Sequence, residues 1–141
     1  MNILILFGST TGNTQMVVDM IESALPDTVN VEAHPGSDMD VIDFSDQDIV
    51  LFGSSTWGNG DIQESMQDLY DDLSPEYVDG KKVAVFGCGD SAFPLFCKAV
   101  DLFEAKLKEN GADIIQDGLK VDGMPVDSQD EIEAWVSTIV E

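Results

Sequence analysis

Ile3-Leu4-Ile5-Leu6-Phe7 runs without a polar break into Gly8-Ser9-Thr10-Thr11-Gly12-Asn13-Thr14, and this junction decides the fold. The first piece is continuously apolar and does not alternate, which marks a strand covered on both faces. Ile49 to Phe52 and Val83 to Phe86 repeat the pattern, and the three runs end at Gly8, Gly53 and Gly87. Val29 to Ala33 is a weaker strand, as is Asp113 to Gln116 with a resumption at Leu119 to Val121. Apolar residues at helical spacing fill the gaps. Met16, Val17, Met20, Ile21, Ala24 and Leu25 form one stripe, stopped by Pro26, and Ile62, Met66, Leu69, Tyr70 and Leu73 form another, closed by Ser74-Pro75. Phe96, Val100, Phe103 and Leu107 make a third, ending at Asn110-Gly111. Ile132, Trp135, Val136, Ile139 and Val140 make the last, and Ser128 with Glu131 has the spacing of a capping box. Strands alternating with helices at this pitch predict right-handed crossovers, a parallel sheet of five strands and one α/β domain over residues 1–141.

Composition narrows the function before any site is considered. The 141 residues contain 43% apolar side chains, enough for a globular core. Six basic residues, all lysine, face 28 acidic ones, for a net charge of −22. That balance argues against nucleic-acid binding and against docking on an anionic membrane. Two cysteines and one histidine do not make a zinc site of the usual kind. The opening run has no basic flank, is too short to span a bilayer and precedes no small-residue cleavage site, which predicts a cytoplasmic protein.

In an open parallel sheet, ligands bind beyond the carboxyl ends of the strands, so three loops matter. The first, Gly8 to Thr14, has a hydroxyl or amide on five of its seven residues and passes straight into a helix. Backbone N–H groups at a helix start, with converging hydroxyls, make a phosphate cradle. It lacks the Gly-Lys-Ser/Thr ending of a nucleotide-triphosphate loop, and no lysine precedes Lys81, so a phosphate here is held by neutral donors. The alternative is an ordinary turn whose Ser and Thr residues cap the helix. In the second loop, Ser54-Ser55-Thr56-Trp57-Gly58-Asn59-Gly60-Asp61, Trp57 stands among small residues and is a candidate to stack on a planar ligand; otherwise it folds back over the sheet edge. The third runs Gly87-Cys88-Gly89-Asp90-Ser91-Ala92-Phe93-Pro94-Leu95-Phe96-Cys97. Phe93 can face such a ligand from the other side, Phe96 suits the core under the next helix, and Cys88 and Cys97 read as small buried apolar residues. His34, before Pro35-Gly36, reads as a solvated loop residue.

A phosphate loop with two aromatics on neighbouring loops describes a site for a phosphorylated flat ring. Ser9-Thr10-Thr11-Gly12-Asn13-Thr14, Ser54-Ser55-Thr56-Trp57-Gly58 and Phe86-Gly87-Cys88-Gly89-Asp90-Ser91 each resemble the corresponding segment of flavodoxins, most closely the short-chain flavodoxins of Desulfovibrio-like sulfate-reducing bacteria. The resemblance spans the whole chain, through Asp117-Gly118-Leu119 to the tryptophan-bearing last helix. It implies the flavodoxin-like three-layer sandwich with strand order 2-1-3-4-5, a monomer, and non-covalently bound flavin mononucleotide (FMN).

By the same resemblance, Ser9, Thr10, Thr11, Asn13 and Thr14, with Gly12 between them, hold the phosphate. Trp57 covers one flavin face and Phe93 the other. Asp90 and Cys97 bind the pyrimidine edge through their backbones, with Cys88 and Gly89 nearby. Gly58 occupies the position where the family turns a carbonyl towards flavin N5, and Ser54, Ser55, Thr56 and Phe96 complete the cofactor-contacting set. Phe93 stands where the family usually has tyrosine, which keeps the stacking plane but changes its electron density and solvation. The Gly58-Asn59-Gly60 turn is also less acidic than in close relatives.

The implied activity is that of a carrier rather than an enzyme, moving single electrons between the semiquinone and hydroquinone states at low potential. One extra negative charge about 10 Å from the flavin, at an effective dielectric near 20, opposes the added electron by roughly 1.7 kcal/mol, or about 70 mV. The implied partners are redox proteins with basic docking patches, such as cytochromes, reductases, and hydrogenase or oxidoreductase systems, bound transiently. Three other readings compete. A response-regulator receiver needs acidic residues where Gly8-Ser9 and Gly53-Ser54 stand. A flavin-dependent quinone or nicotinamide oxidoreductase needs surface for a second substrate that 141 residues hardly supply. A module that stores or senses a phosphorylated ligand would be colourless as purified.

Overall fold

Ile3 and Ile5 point to one side of their strand and Leu4 and Leu6 to the other, and all four are fully buried. The computed structural model, which describes residues 1–8, 13–36, 46–55, 64–89, 98–123 and 125–140, shows what covers each side. Strand β1 (Asn2–Gly8) is followed by helix α1 (Asn13–Ala24) and strand β2 (Asn30–Pro35). Then come β3 (Ile49–Ser55), α2 (Glu64–Asp72), the short α3 (Pro75–Val78) and β4 (Lys82–Gly89). Helix α4 (Lys98–Glu109) leads to β5 (Asp113–Ile114), β6 (Leu119–Asp122), a 3-10 turn (Pro125–Ser128) and α5 (Gln129–Ile139).

All pairings are parallel, and the sheet runs β2-β1-β3-β4-β5, with β6 also on β4. This is the expected order, with one refinement at the edge. β4 advances from Val83 to Phe86 while the neighbouring chain advances from Ile114 to Leu119, so the fifth strand is interrupted by two extra residues and resumes as β6.

The strict alternation of the central strands sorts the core into two layers. Leu4, Leu6, Val50, Phe52, Val83 and Val85 pack against Met66 and Leu69 of α2, Leu73 just past its end, Val78 of α3, and Val100, Phe103 and Leu107 of α4. Ile3, Ile5, Ile49, Leu51, Ala84 and Phe86 pack against Val17, Val18 and Ile21 of α1 and Ile132, Trp135, Val136 and Ile139 of α5. Burial on both faces is why these strands read as unbroken apolar runs.

Local differences from the sequence reading have local causes. In α1 the buried stripe is Val17, Val18 and Ile21, continued by Leu25 just past the helix end, while Met16 is exposed and Met20 half-buried; the apolar arc is wider than the helix needs. Ser128 makes no side-chain cap at α5, because the 3-10 turn delivers it with φ −115° and ψ 20° instead of the extended backbone a capping box requires. The turn α3 forms because Pro75 has its φ preset at the first helical position. His34 belongs to β2 and not to a loop, and its Nε2 lies 3.6 Å from the carboxylate of Glu32, two residues back on the same strand face. Among the described residues no helix is long and apolar enough to cross a membrane.

Candidate functional site

The carboxyl ends of β1, β3 and β4 finish side by side, with Gly8 opposite Ser54, Ser54 opposite Gly87 and Ser55 opposite Cys88. Close approach here depends on absent side chains. A Cβ on Gly87 would stand 2.5 Å from the Ser54 carbonyl oxygen and 2.7 Å from Val100. A Cβ on Gly53 would stand 2.2 Å from Cζ at the tip of the ring of Phe86, its register partner. Phe86 in turn meets Trp135 edge to face at 6.1 Å between ring centres, so the ring that fills the space beside Gly53 is itself held from α5.

Thr14, in the first turn of α1, is fully buried just beyond β1. Its hydroxyl faces the Cys88 thiol and is the one group that offsets burial there, yet the contact falls short of a hydrogen bond, and Oγ1 stands without a partner among the described residues. A buried hydroxyl without a partner costs about 1–3 kcal/mol, so its retention where helix N–H groups converge fits a bound acceptor oxygen. Burial pushes the Cys88 thiol up to about 11, which keeps it a protonated, unreactive packing residue as its sequence context suggests. Ser54 is buried at the same end.

No lysine lies in β1, α1 or β3, and the first in the chain, Lys81, precedes β4 at the opposite end of the sheet. Neutral donors are therefore what these elements present to an anion. The donor set fits the phosphate of FMN: an orphaned hydroxyl and a helix start, with no cation in these elements. Among the expected contacts, Thr14, Ser54, Cys88 and Gly89 gather at this end, and Asn13 and Ser55 belong to α1 and β3. Ser9, Thr10, Thr11, Gly12, Thr56, Trp57, Gly58, Asp90, Phe93, Phe96 and Cys97 lie outside the described residues.

One supporting position escaped the sequence reading. Gly123, at φ +70°, donates its N–H to the Gly89 carbonyl at 2.9 Å and fixes the end of β4 just before the third loop. The Asp122-Gly123 pair is a turn signal that marks it.

The model of the flavodoxin family matches residues 5–135. The chain belongs to the flavodoxin family. The flavodoxin of Maridesulfovibrio salexigens is 46% identical, over 98% of this chain and 96% of its own length. That of Nitratidesulfovibrio vulgaris is 38% identical, over 99% and 97%. Among solved structures, oxidised flavodoxin 2 from Bacillus cereus superposes with a TM-score of 0.85 at 35% identity, covering 99% of this chain and 98% of that one. The FMN-bound flavodoxin of Fusobacterium nucleatum shares the fold at a TM-score of 0.81 and 18% identity, over 99% and 96%. Membership of this family bears out both the resemblance and the three-layer fold it implied.

Proposed function

We propose that this chain, a single domain over residues 1–141, is a cytoplasmic, monomeric one-electron carrier working at low potential with non-covalently bound FMN. Family membership supports the FMN-based carrier. The observation in the molecule that carries the reading is Thr14, whose fully buried hydroxyl lacks a partner in the first turn of α1. When bound, FMN supplies the capacity to take up and release single electrons.

The chain's own residues have three tasks. Thr14 and the α1 N-terminus, with Ser9, Thr10, Thr11 and Asn13, hold the phosphate through neutral donors. Small residues at the strand ends, Gly87 and Cys88 among them, let the backbone approach the ring, while Trp57 and Phe93 cover its faces. The carboxylates, at a net charge of −22, oppose each electron added to the site and attract redox proteins with basic patches. The protein tunes and delivers electrons without acting as an enzyme.

The visible spectrum of the purified protein tests this reading. A yellow flavin band that stays with the protein through gel filtration, and does not bleach when NADPH alone is added, is the expected result. A colourless protein that retains no flavin band through gel filtration after mixing with FMN would contradict it, and rapid bleaching by NADPH would favour an oxidoreductase.

A further inference from the structure

Met16 and Val126 are 36% and 58% exposed, two of the three large apolar side chains exposed among the described residues, and they line the same groove. The groove, of about 440 Å³, lies between α1 and the turn leading into α5, and Met20 and Ala24 form its floor. Its rim carries Asp19 and Glu133. Each is held by an amide one helical turn away: Gln15 Nε2 donates to Asp19 at 3.1 Å, and Gln129 Nε2 donates to Glu133 at 3.1 Å. Both helices start from carboxyl ends of strands, so Met16 and Val126 sit on the flank of the molecule nearest the candidate site, Met16 two residues beyond Thr14.

The charge distribution identifies the occupant. Lys98, Lys106 and Lys108 are on α4, and Lys120 pairs with Asp101 of α4 at 2.9 Å, all on the opposite face of the sheet. Lys81 and Lys82 are at the amino end of β4. The elements framing the groove, α1, the 3-10 turn and α5, contain no lysine or arginine but six carboxylates: Asp19, Glu22, Asp127, Asp130, Glu131 and Glu133. A second copy carrying −22 is repelled from such a face. An apolar cleft inside an uncompensated acidic rim suits a protein with an apolar contact ringed by cations.

We propose that the α1–α5 groove is a docking surface for a cationic redox protein. An apolar side chain of the partner seats between Met16 and Val126, and its lysines face Asp19 and Glu133. The inference rests on the electron-carrier reading above and gives that reading a place on the surface. In the encounter one electron leaves this protein and reduces the partner's oxidised centre, with no bond made or broken.

The test uses the full-length holoprotein and, as probe, a small ferric c-type cytochrome whose haem edge is ringed by lysines. Two readouts are followed: methionine-methyl NMR shifts on titration, and the rate of cytochrome reduction at low salt. The Met16 and Met20 methyl signals are expected to move. Asp19→Lys with Glu133→Lys should slow reduction by about tenfold or more, while Glu76→Lys with Glu109→Lys, an equal change of charge on the opposite face, should slow it by less than about twofold. Met16→Gln with Val126→Gln should weaken binding and leave its salt dependence intact. Equal slowing by the two charge pairs, or shifts that spare Met16 and Met20, would overturn the proposal and leave the carrier reading standing. Shifts at Met16 and Met20 without electron transfer would support the groove and count against the carrier reading.

Discussion

Trp135 on α5 donates its indole Nε1–H to the carbonyl oxygen of Asp117 at 2.8 Å. Asp117 lies in the two-residue excess between β5 and β6, where the pairing with β4 lapses. The indole, 5% exposed, thus supplies from one face of the sheet a hydrogen bond that the strand ladder does not. Trp135→Phe keeps an aromatic against Phe86 but orphans that carbonyl and removes volume. We expect it to cost about 2 kcal/mol and to lower the melting temperature by roughly 6 °C. An unchanged urea midpoint would contradict the assignment.

Glu104 of α4 holds the same segment from the other face, accepting from the backbone N–H of Gly118. Burial raises its carboxyl, and the charge of Asp101 and then that of Asp117 add to the rise, while Gly118 and Lys120 pull it down. A carboxyl raised in the folded state binds more protons there than in the unfolded chain. Its contribution to stability is therefore greatest below the ordinary carboxylate range and declines as pH climbs through the raised native value. Glu104→Gln does not ionise, so its stability relative to the parent should improve between about pH 4 and pH 7. Paired urea titrations at the two pH values check this, and a constant difference would refute it.

Gly53 has Phe86 where a side chain would go. The ring is fully buried and also packs on Trp135, so it has nowhere to retreat. Gly53→Ala should destabilise by about 3 kcal/mol through overpacking. Chemical denaturation measures this, and a loss below about 1 kcal/mol would show that the layer yields.

Thr14→Val separates stability from cofactor binding. Removing a buried hydroxyl without a partner should stabilise the apoprotein by about 1 kcal/mol, while loss of a donor to the phosphate weakens FMN binding by about tenfold. Melting curves of the apo and FMN-loaded forms should shift in opposite directions. Parallel shifts would place the hydroxyl outside the phosphate site.

Much of this was legible in the chain itself. Ile3 to Phe7, Ile49 to Phe52 and Val83 to Phe86 announce a doubly covered sheet because both layers need apolar side chains from every residue. The proposal of a phosphate loop rests on its density of hydroxyls and the absence of lysine, which is chemistry and not geometry. Less legible is whatever depends on how elements meet. Met16 belongs to an apolar arc by spacing, but only the docking of α5 beside α1 shows that it stays outside the core. The interruption at 116–118 is held by hydrogen bonds from Glu104 and Trp135, distant in sequence. Ser128 has the right spacing for a cap, but the preceding 3-10 turn sets its backbone.

The central claim is that this end of the sheet binds the phosphate of FMN with neutral donors, against a field of −22. Fluorescence titration of the apoprotein with FMN and with riboflavin, across a range of salt concentrations, tests it most directly. FMN should bind about a hundredfold more tightly than riboflavin, from several charge-assisted hydrogen bonds. Its affinity should rise with salt as repulsion between the protein and the dianion is screened, while that of riboflavin stays flat. Equal affinities, or FMN binding that weakens as salt rises, would contradict the account.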